Sequence, residues 1–343
     1  MKFLVWGAGA IGGTLGAYLA RAGHDITLVD AATDHVDAIN ANGLRITGPI
    51  SEFTVRPTAQ PPNRLTGAWD TIILATKAHH TETAARALLA HLTPAGCVVS
   101  AQNGLNELAI AAVVGEARTV GAFVNFGADY LEPGSILYGG RGTVMVGEAF
   151  GDPSRRITPR VLAIRDAWRD FETLAAATPN IWGYLWAKEA YGAMLFATAL
   201  TNDSIADGLA RPEYRELYVA LAREILAVAL ARGVHLEAFD GFDPAAYLPD
   251  APAGGGAANR SLDQLVAHNR KSAKTHSGIW RDLAIRKRPT EVDAQLGIVA
   301  TLGAAAGVPT PLTSAVVRLI HEVERGQRTQ GLETLDALAG VMT

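Results

Sequence analysis

Residues 2–30 read KFLVWGAGAIGGTLGAYLARAGHDITLVD, and this stretch decides the fold. KFLVW (2–6) is an apolar run of strand formers. Glycines at 7, 9, 12, 13 and 16 follow, and 11–22 has helical composition up to Gly23. DITLV (25–29) is a second strand that closes on Asp30. Strand, glycine turn, helix and strand in this order make one βαβ unit. Within it, Gly7-Ala8-Gly9-Ala10-Ile11-Gly12 is a G-x-G-x-x-G. Gly7 makes the tight turn, Gly9 lets the backbone approach a pyrophosphate, and Gly12 lets the helix pack close to the sheet. The helix N-terminus adds amides and a positive dipole end, so residues 7–12 are expected to cradle a dinucleotide. A glycine-rich turn with no ligand is the competing explanation.

Asp30 lies 18 residues beyond Gly12, where a carboxylate accepts the adenosine ribose hydroxyls and repels a 2′-phosphate. Residue 31 is Ala, so no arginine stands there to hold such a phosphate. The expected cofactor is NAD(H) or NADP(H), with the lean toward NAD(H), although Arg21 or Lys77 could fold back toward a phosphate.

The alternation continues outward. Residues 70–76, 96–100 and 118–124 read as buried strands separated by helical stretches around 80–92 and 105–113, which implies a parallel sheet covered on both faces. Lys77 follows ILAT, and Gln102-Asn103-Gly104 follows CVVSA, so both sit at the ligand-binding edge of that sheet. Lys77 is a candidate for cofactor ribose or phosphate, and Asn103 for nicotinamide and substrate; Asn-Gly is also an ordinary turn dipeptide. From 129 to 148, Pro-Gly and Gly-Gly separate short strands, as in an antiparallel ribbon finishing the sheet. After about 178 the strand signal nearly vanishes, and 184–200, 211–233, 261–273, 291–306 and 313–326 carry helical apolar spacing. Residues 240–259 read as a mobile surface excursion. The expected fold is α/β plus all-α: a Rossmann-type doubly wound sheet over 1–180, then a helical substrate domain over 181–343.

Composition narrows the function. The 343 residues are 49% hydrophobic and 19% charged, which excludes a disordered chain, and a net charge of −4 offers no field for nucleic acid or anionic lipid. One cysteine, Cys97, excludes an internal disulfide or a cysteine-rich metal site and fits a reducing, cytoplasmic setting. His79, His80, His268 and His276 lack metal-ligand spacing, so no metal is expected. The N-terminus imitates an export signal, yet its glycines interrupt the apolar run and Arg21 and Asp25 end it before a membrane-spanning length.

The chain resembles the ketopantoate reductase (2-dehydropantoate 2-reductase) family along nearly its whole length. The resemblance is carried by VWGAGAIGG (5–13), LATK (74–77), AQNG (101–104) and LWAKEAYGAM (185–194), then SGIWRDLAIRKRPTEVD (277–293) and AAAGVPTPLT (304–313). It implies a two-domain enzyme that reduces the carbonyl of a 2-oxo acid with NAD(P)H, its active site between the domains. Lys188 of WAKEA matches the family's general acid, Glu291 of TEVD its active-site glutamate, and Asn103 the asparagine that touches nicotinamide and substrate.

The residues themselves agree with these roles. Hydride transfer to a ketone builds negative charge on oxygen, which calls for a cation with a transferable proton. Lys188 stands in an otherwise apolar stretch, IWGYLWAKEAYGAMLF, where burial would lower its pKa. Snorkelling, or pairing with Glu189 or Glu172, explains the same lysine without catalysis. For Glu291 the competing explanation is a capping box, with Thr290 as N-cap and Asp293 three residues on.

The family pattern places asparagines four and eight residues after the lysine; here those positions are Gly192 and Phe196. A more apolar pocket is therefore expected, with Asn202, His276 and Ser277 as its polar contacts and a more apolar 2-oxo acid, another ketone or an imine as substrate. The alternatives are an opine- or hydroxyacyl-type dehydrogenase or imine reductase, and a sensor that binds NAD(P) without turnover. Apolar helix faces in the second half allow a homodimer.

Overall fold

The computed structural model describes residues 1–152, 154, 156–249, 256–272 and 274–342. The chain divides into two compact units, Met1–Ile181 and Trp182–Thr343.

The first unit begins β1 (Lys2–Trp6), α1 (Ala10–Arg21), β2 (Asp25–Val29) and α2 (Thr33–Asn42). It continues with β3 (Leu44–Thr47), β4 (Phe53–Val55), β5 (Thr58–Gln60), β6 (Trp69–Leu74), α3 (Thr81–Leu88) and β7 (Leu92–Ser100). Then come α4 (Glu107–Val114), β8 (Thr119–Val124), β9 (Gly127–Glu132), β10 (Ser135–Gly140), β11 (Val144–Glu148), α5 (Pro159–Trp168) and β12 (Ala176–Ala177). The main sheet runs β12-β11-β8-β7-β6-β1-β2-β5, and its neighbours from β8 to β5 are all parallel. This is the Rossmann-type sheet. Successive strands leave β1 in opposite directions, through β2 and β5 on one side and β6 to β8 on the other. The β1/β6 boundary is therefore the switch point, where the carboxyl ends of strands open a ligand crevice.

Side chains alternate across this sheet as the pleat requires. Phe3, Val5 and Leu28 enter one core, while Leu4, Trp6 and Val29 enter the other. Both faces are buried, which is why β1 and β2 are continuous apolar runs.

The 129–148 ribbon departs from expectation. β9 and β10 do pair antiparallel, but β10 also pairs parallel with β3, giving a separate sheet in the order β4-β3-β10-β9. Of this ribbon only β11 joins the main sheet, antiparallel to β8 and with β12 beyond it at the edge.

The second unit is helical among its described residues. It is built from α6 (Ile181–Thr198), α7 (Ile205–Ala210), α8 (Arg215–Ala231), α9 (Gly256–Arg270), α10 (Gly278–Arg281), α11 (Ile298–Ala306), α12 (Pro311–Glu324) and α13 (Leu332–Ala339). Single π-turns occupy Asp282–Arg286 and Asp293–Gly297. The Glu224 carboxylate of α8 accepts the amides of Leu312 and Thr313, both at 2.8 Å, and so caps α12 in place of a local side chain.

The stretch after 240 is not a surface excursion where it is described: Phe242 and Tyr247 are buried at 1% and 0% exposure and stack on each other at 5.1 Å. The expected mobility falls in part on 250–255, which lie outside the described residues. Among the described residues no helix is long and apolar enough to cross a membrane.

Candidate active site

In the first unit the glycine loop closes against the end of β6. Gly7 has φ +100°, and a Cβ there would lie 2.7 Å from the Thr76 amide nitrogen and 2.8 Å from the Ala75 carbonyl carbon. A Cβ on Gly12 would collide with the Gly7 carbonyl oxygen, so α1 can approach the loop only without one. Gly9 is different: a Cβ there would meet nothing within 4 Å. The loop is thus tight behind and open in front. Gly9 is also the N-cap of α1, without a side chain to satisfy the first-turn amides. These residues fit a dinucleotide phosphate group, which such a helix end attracts by its amides and dipole.

Two side chains hold this loop. The Asp30 carboxylate accepts the Ala8 amide at 2.8 Å through Oδ2 and the Ala32 amide at 3.0 Å through Oδ1. Asp30 keeps partial exposure, and Ala31 beside it is exposed. His35, 1% exposed, accepts the Gly134 amide at Nδ1 (2.9 Å), which leaves Nε2–H to donate to the Ala8 carbonyl (2.9 Å). Arg21, the last residue of α1, does not fold back: its guanidinium lies over the Phe53 ring at 4.6 Å and donates to Ser51 Oγ at 3.2 Å.

The loops after β6 and β7 are joined by a buried network that the sequence reading missed. Gln102, 5% exposed, donates through Nε2 to the Thr76 carbonyl and to Thr81 Oγ1, both at 2.8 Å. Thr81 Oγ1 donates to Asn106 Oδ1 at 3.0 Å, and Asn106 donates to the Asn103 carbonyl at 2.6 Å. Asn103 itself is exposed and Lys77 half-buried, its carbonyl accepting the His80 amide at 2.9 Å.

In the second unit α6 is apolar on most of its surface, with Leu185, Trp186, Ala187, Ala190, Ala193 and Met194 at 2% exposure or less. Lys188 interrupts it and is half-buried. Burial pushes its ammonium down to about 8, Glu189, Asp240 and Glu291 pull it back up, and Lys274 adds to the depression. Asp240 reaches this cluster from a tight reversal: it has φ 39° and Gly241 φ 84°, while Phe239 and Phe242 exchange backbone hydrogen bonds at 3.0 and 2.7 Å. Tyr191, three residues on from Lys188, accepts from Asn269 Nδ2 at 2.9 Å. Glu172, the other acid considered for Lys188, is held by Arg141 at 3.0 Å within the first unit.

The capping box expected around Glu291 is half formed: Thr290 Oγ1 accepts the Val292 amide at 3.3 Å, as an N-cap does, but no bond returns from Asp293. Thr290 donates both its amide (2.7 Å) and its hydroxyl (2.8 Å) to Glu324 of α12, and Asp293 lies 3.1 Å from His321 rather than reaching back. The Glu291 loop is fixed on its other side by Asp282, 1% exposed, which accepts Arg288 at 2.9 Å. The two π-turns flank this loop, a placement common at functional sites.

Asn202, His276 and Ser277 gather just beyond the C-terminal end of α6, the latter two in the segment that follows Lys274. Ser277 caps α10 by accepting the Trp280 amide at 3.1 Å, His276 lies on the Trp280 ring at 4.0 Å, and Trp280 Nε1 donates to Asn202 at 3.4 Å. Phe196 is wholly buried, so it packs the core and lines no water-accessible pocket. Among the described residues no group of three or more His, Cys, Asp or Glu could hold a metal.

Residues 3–151 match the family described as ketopantoate reductase PanE/ApbA, and 180–324 match its C-terminal counterpart. The chain belongs to the ketopantoate reductase family. It is an oxidoreductase of that family. It is 29% identical to a 2-dehydropantoate 2-reductase of Mesorhizobium japonicum, covering 95% of this chain and 99% of the relative. A 2-dehydropantoate 2-reductase of Archaeoglobus fulgidus is 28% identical over 94% of this chain and 97% of its own. The solved PanE/ApbA family ketopantoate reductase of Ralstonia eutropha JMP134 superposes with a TM-score of 0.77 at 25% identity, over 95% of this chain and 99% of that one. The family is legible at both ends of the chain, in the loop that opens α1 and in the Lys188 and Glu291 segments.

Proposed function

We propose that this chain reduces the carbonyl of a 2-oxo acid, with Lys188 as the proton donor. The observation that carries the reading is a half-buried ammonium on an apolar helix, sharing its surroundings with Glu291. The names of the relatives support the 2-oxo acid.

Gly7, Ala8, Gly9, Ala10, Ile11 and Gly12 hold the pyrophosphate, Asp30 the adenosine ribose, and Lys77 a ribose or phosphate oxygen. A bound reduced nicotinamide supplies the hydride. Asn103 contacts nicotinamide and substrate. Lys188 Nζ–H hydrogen-bonds the carbonyl oxygen and gives up its proton as negative charge develops there, leaving a neutral amine that solvent reprotonates. Glu291 keeps a compensating negative charge near the ammonium and so holds its proton until it is needed. Asn202, His276 and Ser277 are the remaining polar contacts for the substrate.

Asp30 beside the exposed Ala31 favours NAD(H) over NADP(H). The buried, unpaired Cys97 fits a reducing, cytoplasmic location, and exposed Leu230 and Leu332 on the helical unit support a homodimer.

The test is oxidation of NADH or NADPH against a panel of 2-oxo acids, with wild type and Lys188→Ala. Turnover of the variant is expected to fall by about 10²–10⁴-fold with nucleotide affinity retained. Retained turnover, or loss of nucleotide binding instead, overturns the reading.

A further inference from the structure

β6 and β7 run parallel as far as the pair Leu74 and Ser100, and the Ala101 amide donates to the Leu74 carbonyl at 2.8 Å. The next bond of such a ladder would run from residue 103 to the Thr76 carbonyl, because donors and acceptors each advance by two. That carbonyl instead accepts the Gln102 side chain, through Nε2 at 2.8 Å. A side chain thus closes the sheet edge, and the main chain turns at Gly104, where φ is +106°.

The second N–H of the same carboxamide goes to Thr81 Oγ1 at 2.8 Å, where α3 begins. Thr81 Oγ1 donates to Asn106 Oδ1 at 3.0 Å, just before α4, and Asn106 Nδ2 donates to the Asn103 carbonyl at 2.6 Å. Gln102, Thr81 and Asn106 are 5%, 2% and 5% exposed, so water does not compete for these bonds. The Thr76 end of the chain is rigid. The Ala75 amide donates to the Trp6 carbonyl at 2.8 Å, and the Thr76 nitrogen would lie 2.7 Å from a Cβ on Gly7. The constraint therefore runs from Thr76 toward Asn103. Gln102 Oε1, meanwhile, is buried with no hydrogen-bond partner among the described residues. An apolar side chain would fill this place without that orphaned acceptor, so the two donors are what the position requires.

We propose that Gln102 is a positioning residue: through Thr81 and Asn106 it sets where Asn103 stands beyond the end of β7, and so aligns nicotinamide and substrate for hydride transfer. The inference rests on the reading of Asn103 as the contact to both. Hydride transfer demands that alignment, since a misplacement of about 1 Å costs on the order of 10²-fold in rate.

The experiment measures kcat and the nucleotide dissociation constant with 2-dehydropantoate or 2-oxopentanoate, whichever wild type reduces faster. Gln102→Met keeps the length of the side chain and removes both donors. Its kcat is expected to fall by about 10–10²-fold while nucleotide affinity stays within about threefold. Because Gln102 acts through Asn103, the same substitution in an Asn103→Ala background should lower kcat by less than about twofold further. A merely structural role would lower the urea midpoint and leave kcat alone, or would lower kcat equally in both backgrounds, and either result overturns the proposal. If Gln102→Met fails to fold, Thr81→Val breaks the chain at its middle and is read in the same two backgrounds. Thr81→Ser, which keeps the hydroxyl, must then recover most of the loss; an undiminished kcat in Thr81→Val, or no recovery in Thr81→Ser, overturns the proposal. An impaired Asn103→Ala beside an unimpaired Gln102→Met removes this inference alone. An Asn103→Ala that turns over like wild type removes the reading of Asn103, and a wild type that reduces neither acid removes the reductase reading; the inference falls with each.

Discussion

One oxygen of Glu324 takes both hydrogen bonds that Thr290 can donate, the amide at 2.7 Å and the hydroxyl at 2.8 Å. Thr290 immediately precedes Glu291, so a carboxylate on α12 sets where the Glu291 side chain begins. Thr290 is 7% exposed, and water does not readily replace the lost acceptor. Glu324→Ala is expected to cost about 1–3 kcal/mol in urea unfolding and to lower kcat more than it raises KM. Glu324→Gln, which retains an acceptor oxygen, recovers most of both. Equal losses for the two variants would mean that the charge, and not the acceptor, holds the loop.

Asp30 has two duties, and a single substitution does not separate them. Its carboxylate binds the Ala8 and Ala32 amides and so shapes the glycine loop. In the proposed ribose site its charge also opposes a 2′-phosphate. Asp30→Ala is therefore expected to weaken NADH and NADPH together. Asp30→Asn combined with Ala31→Arg keeps an acceptor for the loop, removes the repulsion and adds a cation, so the NADPH-to-NADH affinity ratio rises by about tenfold or more. Fluorescence titration of both nucleotides reads the ratio, and an unchanged value removes Asp30 from the ribose site.

The contrast between what the sequence discloses and what it hides follows contact range. The first βαβ unit is legible because Gly7, Gly9 and Gly12 perform local tasks at fixed spacing. Lys188 is legible because a lysine amid IWGYLWAKEAYGAMLF needs a reason. β3, β4 and β5 are short, and β3 owes its place to β10, some ninety residues later in the chain, so no local periodicity marks it. Gln102, His35 and Glu324 escape for the same reason: each acts on a residue distant in sequence. Phe196 misleads by residue type alone, since its side chain went to the core.

The Lys188 ammonium, brought down to about 8 by burial, sets a pH dependence with a definite sign. In the proposed mechanism the protonated form is the donor, so carbonyl reduction is expected to hold below about pH 8 and to fall tenfold per pH unit above it. Lys188→Arg flattens that limb while lowering the plateau. Stability moves the opposite way. The unfolded lysine titrates near 10.5 and the folded one near 8, so the folded state sheds its proton first and gains stability as pH rises between them. Below that window the buried charge costs about 3 kcal/mol, and Lys188→Met should be more stable than wild type by up to that amount. Denaturant melts on both sides of the window measure the gap, and a gap independent of pH contradicts the burial of the ammonium.

His35 ties the glycine loop to the second sheet, which gives nucleotide binding a support outside the βαβ unit. Its ring accepts the Gly134 amide and donates to the Ala8 carbonyl, both at 2.9 Å, from a position 1% exposed. His35→Phe keeps the ring and loses both bonds, leaving a buried N–H and a buried C=O without partners. The expected cost is about 1–3 kcal/mol for each orphaned group, partly relieved by movement of the loop. Because Ala8 precedes Gly9, that movement reaches the pyrophosphate cradle and leaves the ribose subsite to Asp30. NADH and NADPH affinities should therefore fall by the same factor, about tenfold, with their ratio preserved. A change in the ratio would place His35 at the ribose, and unaltered affinities would show that the loop keeps its shape without the imidazole.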